Sequence, residues 1–115
     1  MNLENFIIEN EIAILVIADL VNKSFDIRKG EISLKSNCLY KQLILNSDVE
    51  TLQEYVEGQT LMPRIWSQGK TLCIVCQPES SHIVAIFLDK EIDAIESYFL
   101  AKKMDLEIKE LYKMV

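Results

Sequence analysis

The sequence predicts an α/β (α+β) domain. It has one five-stranded, mostly antiparallel sheet with a short N-terminal helix, a middle helix and a long C-terminal helix. Three observations lead there. Ile12–Ala18 (IAILVIA) is an unbroken aliphatic run of strand length. From Arg64 to Leu88, three short apolar runs are separated by turn residues, the pattern of a meander. Beyond them, apolar residues recur every three or four positions over some two dozen residues, the period of an amphipathic helix.

Taken in order, Asn2–Glu9 predicts a short helix with Asn2 as its N-cap and Leu3, Phe6 and Ile7 on one side. About two turns long, it depends on packing for its stability. Ile12–Ala18 predicts a central strand covered on both faces. Between Asp19 and Leu34 two segments alternate, Phe25–Ile27 and Ile32–Leu34, and either is able to pair with the central strand; Gly30 marks a turn between them. Asn37–Leu45 has helical spacing at Leu39, Leu43 and at Tyr40, Ile44. Ser47-Asp48-Val49-Glu50 has the form of a capping box, opening a helix over about residues 48 to 57 with Val49, Leu52 and Val56 on one face and Gly58 ending it.

The strands of the second half are read around Arg64–Ser67, Thr71–Cys76 and His82–Leu88, with turns at Gln68–Gly69 and Gln77–Ser81. The last helix is expected to begin near Asp89–Asp93, with Ile92, Ile95, Tyr98, Ala101, Met104, Ile108, Leu111 and Val115 as its buried stripe. Acidic residues crowd its first turn and Lys113 its last, as the helix dipole favours.

The 115 residues make a single domain by length, half of them apolar, enough to bury a core without disulfides or metal. Eighteen acidic side chains against 12 basic give a net charge of −6, with no basic cluster beyond Arg28–Lys29 and Lys102–Lys103. Nucleic acid is disfavoured as a partner because its phosphates require concentrated positive charge. The longest apolar run is far short of the ~20 residues of a membrane helix, so membrane insertion is not expected. Three cysteines, an odd number, fit a reducing compartment, and the first residues carry no secretory pattern; the expected location is cytoplasmic.

No catalytic, cofactor-binding or metal-binding set emerges. Cys73-x-x-Cys76 resembles a redox or zinc pair, but on a strand residues three apart point to opposite faces, so the two thiols diverge into the core. His82, the single histidine, follows Ser80–Ser81 but lacks an oxyanion-hole glycine motif nearby, and is read as a turn residue. The carboxylate pairs Glu54 with Glu57 and Asp89 with Asp93 are explained by helix solubility and helix-terminus pairing. Three glycines do not build a phosphate-binding loop. Met62-Pro63-Arg64-Ile65-Trp66 is the best candidate contact surface, since Trp, Arg and Tyr are enriched at interfaces, and Tyr55 on the middle helix is another candidate.

The order short helix, two strands, helix, three strands, long helix resembles the Roadblock/dynein light-chain superfamily. TLCIVCQPESSHIVAIFLDKEIDAIESY looks like that family's final hairpin leading into its last helix, and IAILVIAD like its first strand. The chain departs from the family in a shorter first helix and in Asp19-Leu20-Val21-Asn22, where the family tends to have an Asp-Gly turn. The resemblance implies a non-enzymatic homodimer, paired through the third strand and the middle helix, acting as a platform for a small Ras-like GTPase or another protein. By position it implies Leu52, Tyr55, Val56, Arg64, Ile65 and Trp66 as dimer or partner interface, without a cofactor. The competing class is a PAS- or GAF-like small-molecule sensor, which requires a pocket between helix and sheet.

Overall fold

The computed structural model describes residues 2–57 and 63–113. Along the chain lie α1 (Leu3–Glu9), β1 (Ile14–Asp19), β2 (Ser24–Lys29), α2 (Cys38–Tyr40, running on as a π-helical turn over Lys41–Leu45), α3 (Val49–Val56), β3 (Arg64–Gln68), β4 (Thr71–Glu79), β5 (His82–Leu88) and α4 (Ala94–Lys113). The strands form one sheet in the order β2-β1-β5-β4-β3, and every neighbouring pair is antiparallel. The expected class and element order therefore hold. Expectations placed on Gly58, Met62 and Val115 lie outside the described residues.

α1 is capped as predicted: the Asn2 side chain accepts the Asn5 amide at 2.8 Å. β1 starts two residues later than the apolar run, because Glu11 has a φ of 52° and the Ile12 amide still donates to Ile7. Pairing of β1 with β2 settles the ambiguous region in favour of Phe25–Ile27. The Asp19 carboxylate decides it, accepting the Val21 and Asn22 amides and the Asn22 side chain at 2.9–3.0 Å. Those bonds, chiefly the one from the Asn22 amide, stabilise the carboxylate and hold its pKa below the ordinary value. With Lys23 at a φ of 55°, they close the chain on itself at once, so Ile32–Leu34 is left outside the sheet.

Gly30 is not a hairpin turn. Its amide donates to the Ala13 carbonyl at 2.8 Å, and a Cβ there would lie 2.1 Å from the Ile12 oxygen. Glycine is required for that close approach of two backbones.

Two further boundaries differ from expectation. The β3–β4 turn is Gly69–Lys70, with Gly69 in the left-handed region at φ 58°, while Gln68 still pairs with Thr71. β4 runs on through Pro78 to Glu79, with a register irregularity after Cys76, so the last hairpin turns at Ser80–Ser81. A strand tolerates a proline at such an irregularity, where no ladder donor is needed.

The α3 capping box does not form. Asp48, not Ser47, is the N-cap and accepts the Thr51 amide at 2.8 Å, while Glu50 reaches out to Lys23 at 2.6 Å. An aspartate at this position satisfies an orphan amide and carries the charge the helix N-terminus favours, so the serine has no role left.

Each face of the sheet covers its own core. Leu39, Tyr40, Leu43, Ile44, Val49, Leu52 and Val56 pack from α2 and α3 onto one side. Phe6 and Ile7 of α1, with Ala101, Met104 and Ile108 of α4, pack onto the other. The buried side of α4 is therefore turned relative to the predicted stripe. Ile95 and Tyr98 are exposed, and Ser97 and Asp105 take buried positions.

Candidate protein-interaction surface

The sheet has two open edges, β2 and β3, each hydrogen-bonded on one side alone. β3 is the one with a structured aromatic surface. Arg64 and Trp66, two residues apart on a strand, share the α3 side of the sheet. The Arg64 guanidinium lies 5.1 Å from the Trp66 ring centroid, a cation–π stack. Tyr55 of α3 meets the same Trp66 ring edge-on, with centroids 6.4 Å apart. Trp66 is part-buried against the α2/α3 core, and Tyr55 is exposed. Three of the six anticipated residues thus converge across β3 and α3.

The other three do not present themselves there. Leu52 has no exposed surface and Val56 almost none; both point into the core and fix α3 on the sheet. The apolar face of a two-turn helix has to be buried to hold the helix in place, so Leu52 and Val56, which the resemblance implied as interface, anchor α3 on the sheet within this chain. Ile65 faces the opposite way, part-buried against the α4 core. Pro63 adjoins this surface, while Met62 lies outside the described residues.

The groups set aside as chemistry behave as expected of core and turn. Cys73 belongs to the α2/α3 core and Cys76 to the α4 core, so the two thiols do diverge across the sheet. Burial raises the pKa of both thiols far above the ordinary value, making them weaker acids, with the Asp105 carboxylate adding to the effect on Cys76. Such thiols are unreactive.

His82 is tied down by Glu79 and by the Ser81 hydroxyl at 3.0 Å, with Asp19 3.9 Å from its other nitrogen and the Tyr112 ring 5.9 Å away. This cluster clamps the β4–β5 turn to β1 and α4. Burial, then the nearby Glu79 charge, raises the Tyr112 phenol above its usual value. Asp89 accepts the Lys35 amide, and Asp93 caps α4 through the Glu96 amide at 2.8 Å. Among the described residues, no three His, Cys, Asp or Glu side chains are grouped to hold a metal, and no helix is long and apolar enough to cross a membrane.

A single buried stripe drawn along α4 leaves its outer side unaccounted for. Ile95, Phe99 and Leu106 are exposed there together with Tyr98. A second apolar period at positions 95, 99 and 106 was the available signal.

No family model matches this chain, and no curated protein matches it. Among solved structures it is similar to Myxococcus xanthus MglB, with a TM-score of 0.54 at 10% sequence identity, covering 96% of this chain and 91% of that one. MglB has the Roadblock fold, and the likeness shows that this chain has it too.

Proposed function

We propose that this chain is a non-enzymatic, dimerising adaptor that binds and regulates a small Ras-like GTPase. The observation that carries the reading is the open β3 edge flanked by Tyr55, Trp66 and Arg64, on a Roadblock fold. An unpaired edge is an association hazard unless something covers it. A second copy, related by a two-fold axis, is the commonest cover. In that dimer β3 pairs with β3, α3 lies beside α3, and the two sheets become one. Tyr55, Arg64 and Trp66 form the contact, Ile65 extends it on the opposite face, and Leu52 and Val56 hold α3 in position. The GTPase assignment follows from the resemblance to the Roadblock family, whose dimers serve as such platforms.

The sensor alternative needs a pocket between helix and sheet. A hollow of about 440 Å³ does lie between α1 and the end of β2, lined by residues such as Ile7, Ile8, Arg28 and Glu31, but it sits at the edge strand of the sheet and not within its core.

The test is mass in solution by light scattering, on the wild type and on Trp66→Glu, with circular dichroism on both. The expected result is a dimer that the substitution converts to a folded monomer, since it places a charge in a desolvated contact. A wild type that stays monomeric at tens of micromolar overturns the dimer and the platform with it.

A further inference from the structure

α4 has two apolar faces and the sheet covers one. Ala101, Met104 and Ile108 are fully buried, while Ile95, Phe99 and Leu106 are 70%, 66% and 65% exposed and Tyr98 is 53% exposed. At 3.6 residues per turn the first three fall within about 40° of one another, on the side away from the buried face. Tyr98 joins them through an edge-on contact with Phe99, with centroids 5.7 Å apart. Large apolar side chains gathered on one outward helix face mark an interaction site, unlike apolar residues scattered singly.

The charge inside this patch states what covers it. Lys102 falls among the apolar residues, its ammonium 5.6 Å from the Tyr98 ring centroid. The other α4 lysines reach carboxylates of their own helix: Lys103 to Glu107, Lys109 to Asp105 and Lys113 to Glu110. Lys102 has no ion pair among the described residues. A purely apolar cover would strand that ammonium out of water, which is strongly unfavourable. Charge complementarity therefore favours a cover that brings a carboxylate, since otherwise the Lys102 stem has to carry its ammonium out to the rim.

A second copy is a poorer source of that carboxylate. Between Ile95 and Leu106 this face offers no acid, since Asp105 is buried on the sheet side and Glu96 lies roughly 90° around the helix, and the acid nearest in angle, Glu110, is one turn beyond Leu106 and reaches Lys113 of its own helix at 3.6 Å. An anionic membrane is a poor match for one unpaired cation on a chain of net charge −6.

The geometry points to an amphipathic helix of another protein as the occupant. It lays apolar residues across Ile95, Phe99 and Leu106 and sets a Glu or Asp opposite Lys102. The patch runs along about 16 Å of helix axis, the length of a three-turn helix. It lies on the opposite side of the sheet from α3, so this site is independent of the β3 dimer and both can be filled together.

The probe is a pair of synthetic amphipathic helical peptides with the same leucine stripe, one with glutamate and one with lysine at its centre. Binding to the labelled full chain is followed by fluorescence anisotropy and by amide chemical shifts. The glutamate peptide is expected to bind ~10-fold more tightly than the lysine peptide, moving amides of α4 from Ile95 to Leu106. Lys102→Glu should invert that order, and Phe99→Ser should remove binding of both; each side chain is exposed, so the fold should survive, as circular dichroism verifies. Equal binding of the two peptides, shifts located elsewhere, or no binding up to about 1 mM overturns the proposal. Self-association abolished by Phe99→Ser, or preference for phosphatidylserine vesicles over both peptides, assigns the face to another occupant and overturns it equally.

Discussion

Two glycines of this chain do opposite jobs, and substitution separates them. Gly30 has an ordinary backbone conformation but no room, since its Cβ would meet the Ile12 carbonyl at 2.1 Å. Gly69 has open space around it but a left-handed φ of 58°. Gly30→Ala must displace the backbone that leads into β1, and should cost about 1–3 kcal/mol. Gly69→Ala should cost ~1 kcal/mol, from conformation alone. Urea unfolding of both variants checks this; equal losses would mean that the close approach at Gly30 relaxes freely. In the sequence Gly30 reads as a turn because glycine stands there between two alternating segments. Nothing local distinguishes a glycine that bends the chain from one that lets another strand pass. The same blindness applied at Asp19, whose side-chain bonds, not any hydrophobic pattern, selected Phe25–Ile27 as the partner of β1.

Among the elements, α4 shows how far periodicity carries. Its existence and its Asp93 start were readable from spacing and charge. Its orientation was not, because apolar residues occupy both sides and a single stripe can be drawn through either. Burial resolves it: Ile108 is enclosed and Ile95 is exposed. Ile108→Ala should therefore cost about 2–5 kcal/mol, whereas Ile95→Ala should change stability by less than about 0.5 kcal/mol. Chemical denaturation of the two variants decides between the faces, and a large loss for Ile95→Ala would restore the predicted stripe. α3 teaches a related lesson. Val49, Leu52 and Val56 were rightly placed on one face, yet that face is the anchor, and the candidate contact lies on Tyr55 beside it.

At the level of the whole molecule, the class, the strand count and the antiparallel meander were legible because runs of apolar residues and turn residues record them directly. Strand order was not legible, since no local signal tells β1 to sit between β2 and β5. That order leaves β2 as an edge, and the alternation set by the Gly30–Ala13 bond turns the main-chain groups of Phe25, Ile27 and Lys29 outward. Charged side chains guard it, including the Asp26–Arg28 pair at 3.2 Å. Replacing both with valine should leave a folded protein that aggregates faster than wild type at equal concentration, followed by light scattering over time. Unchanged solubility would show that the edge is protected by something other than charge. The same strand order has a consequence for how the chain is made. β1 lies against β5, and Asn10 bonds Glu107 across 97 positions of sequence. During synthesis the aliphatic β1 emerges well before β5 and has the β2 hairpin for company until β5 follows. Long-range pairing of this kind slows folding, so the nascent chain holds that strand half-covered across the whole interval.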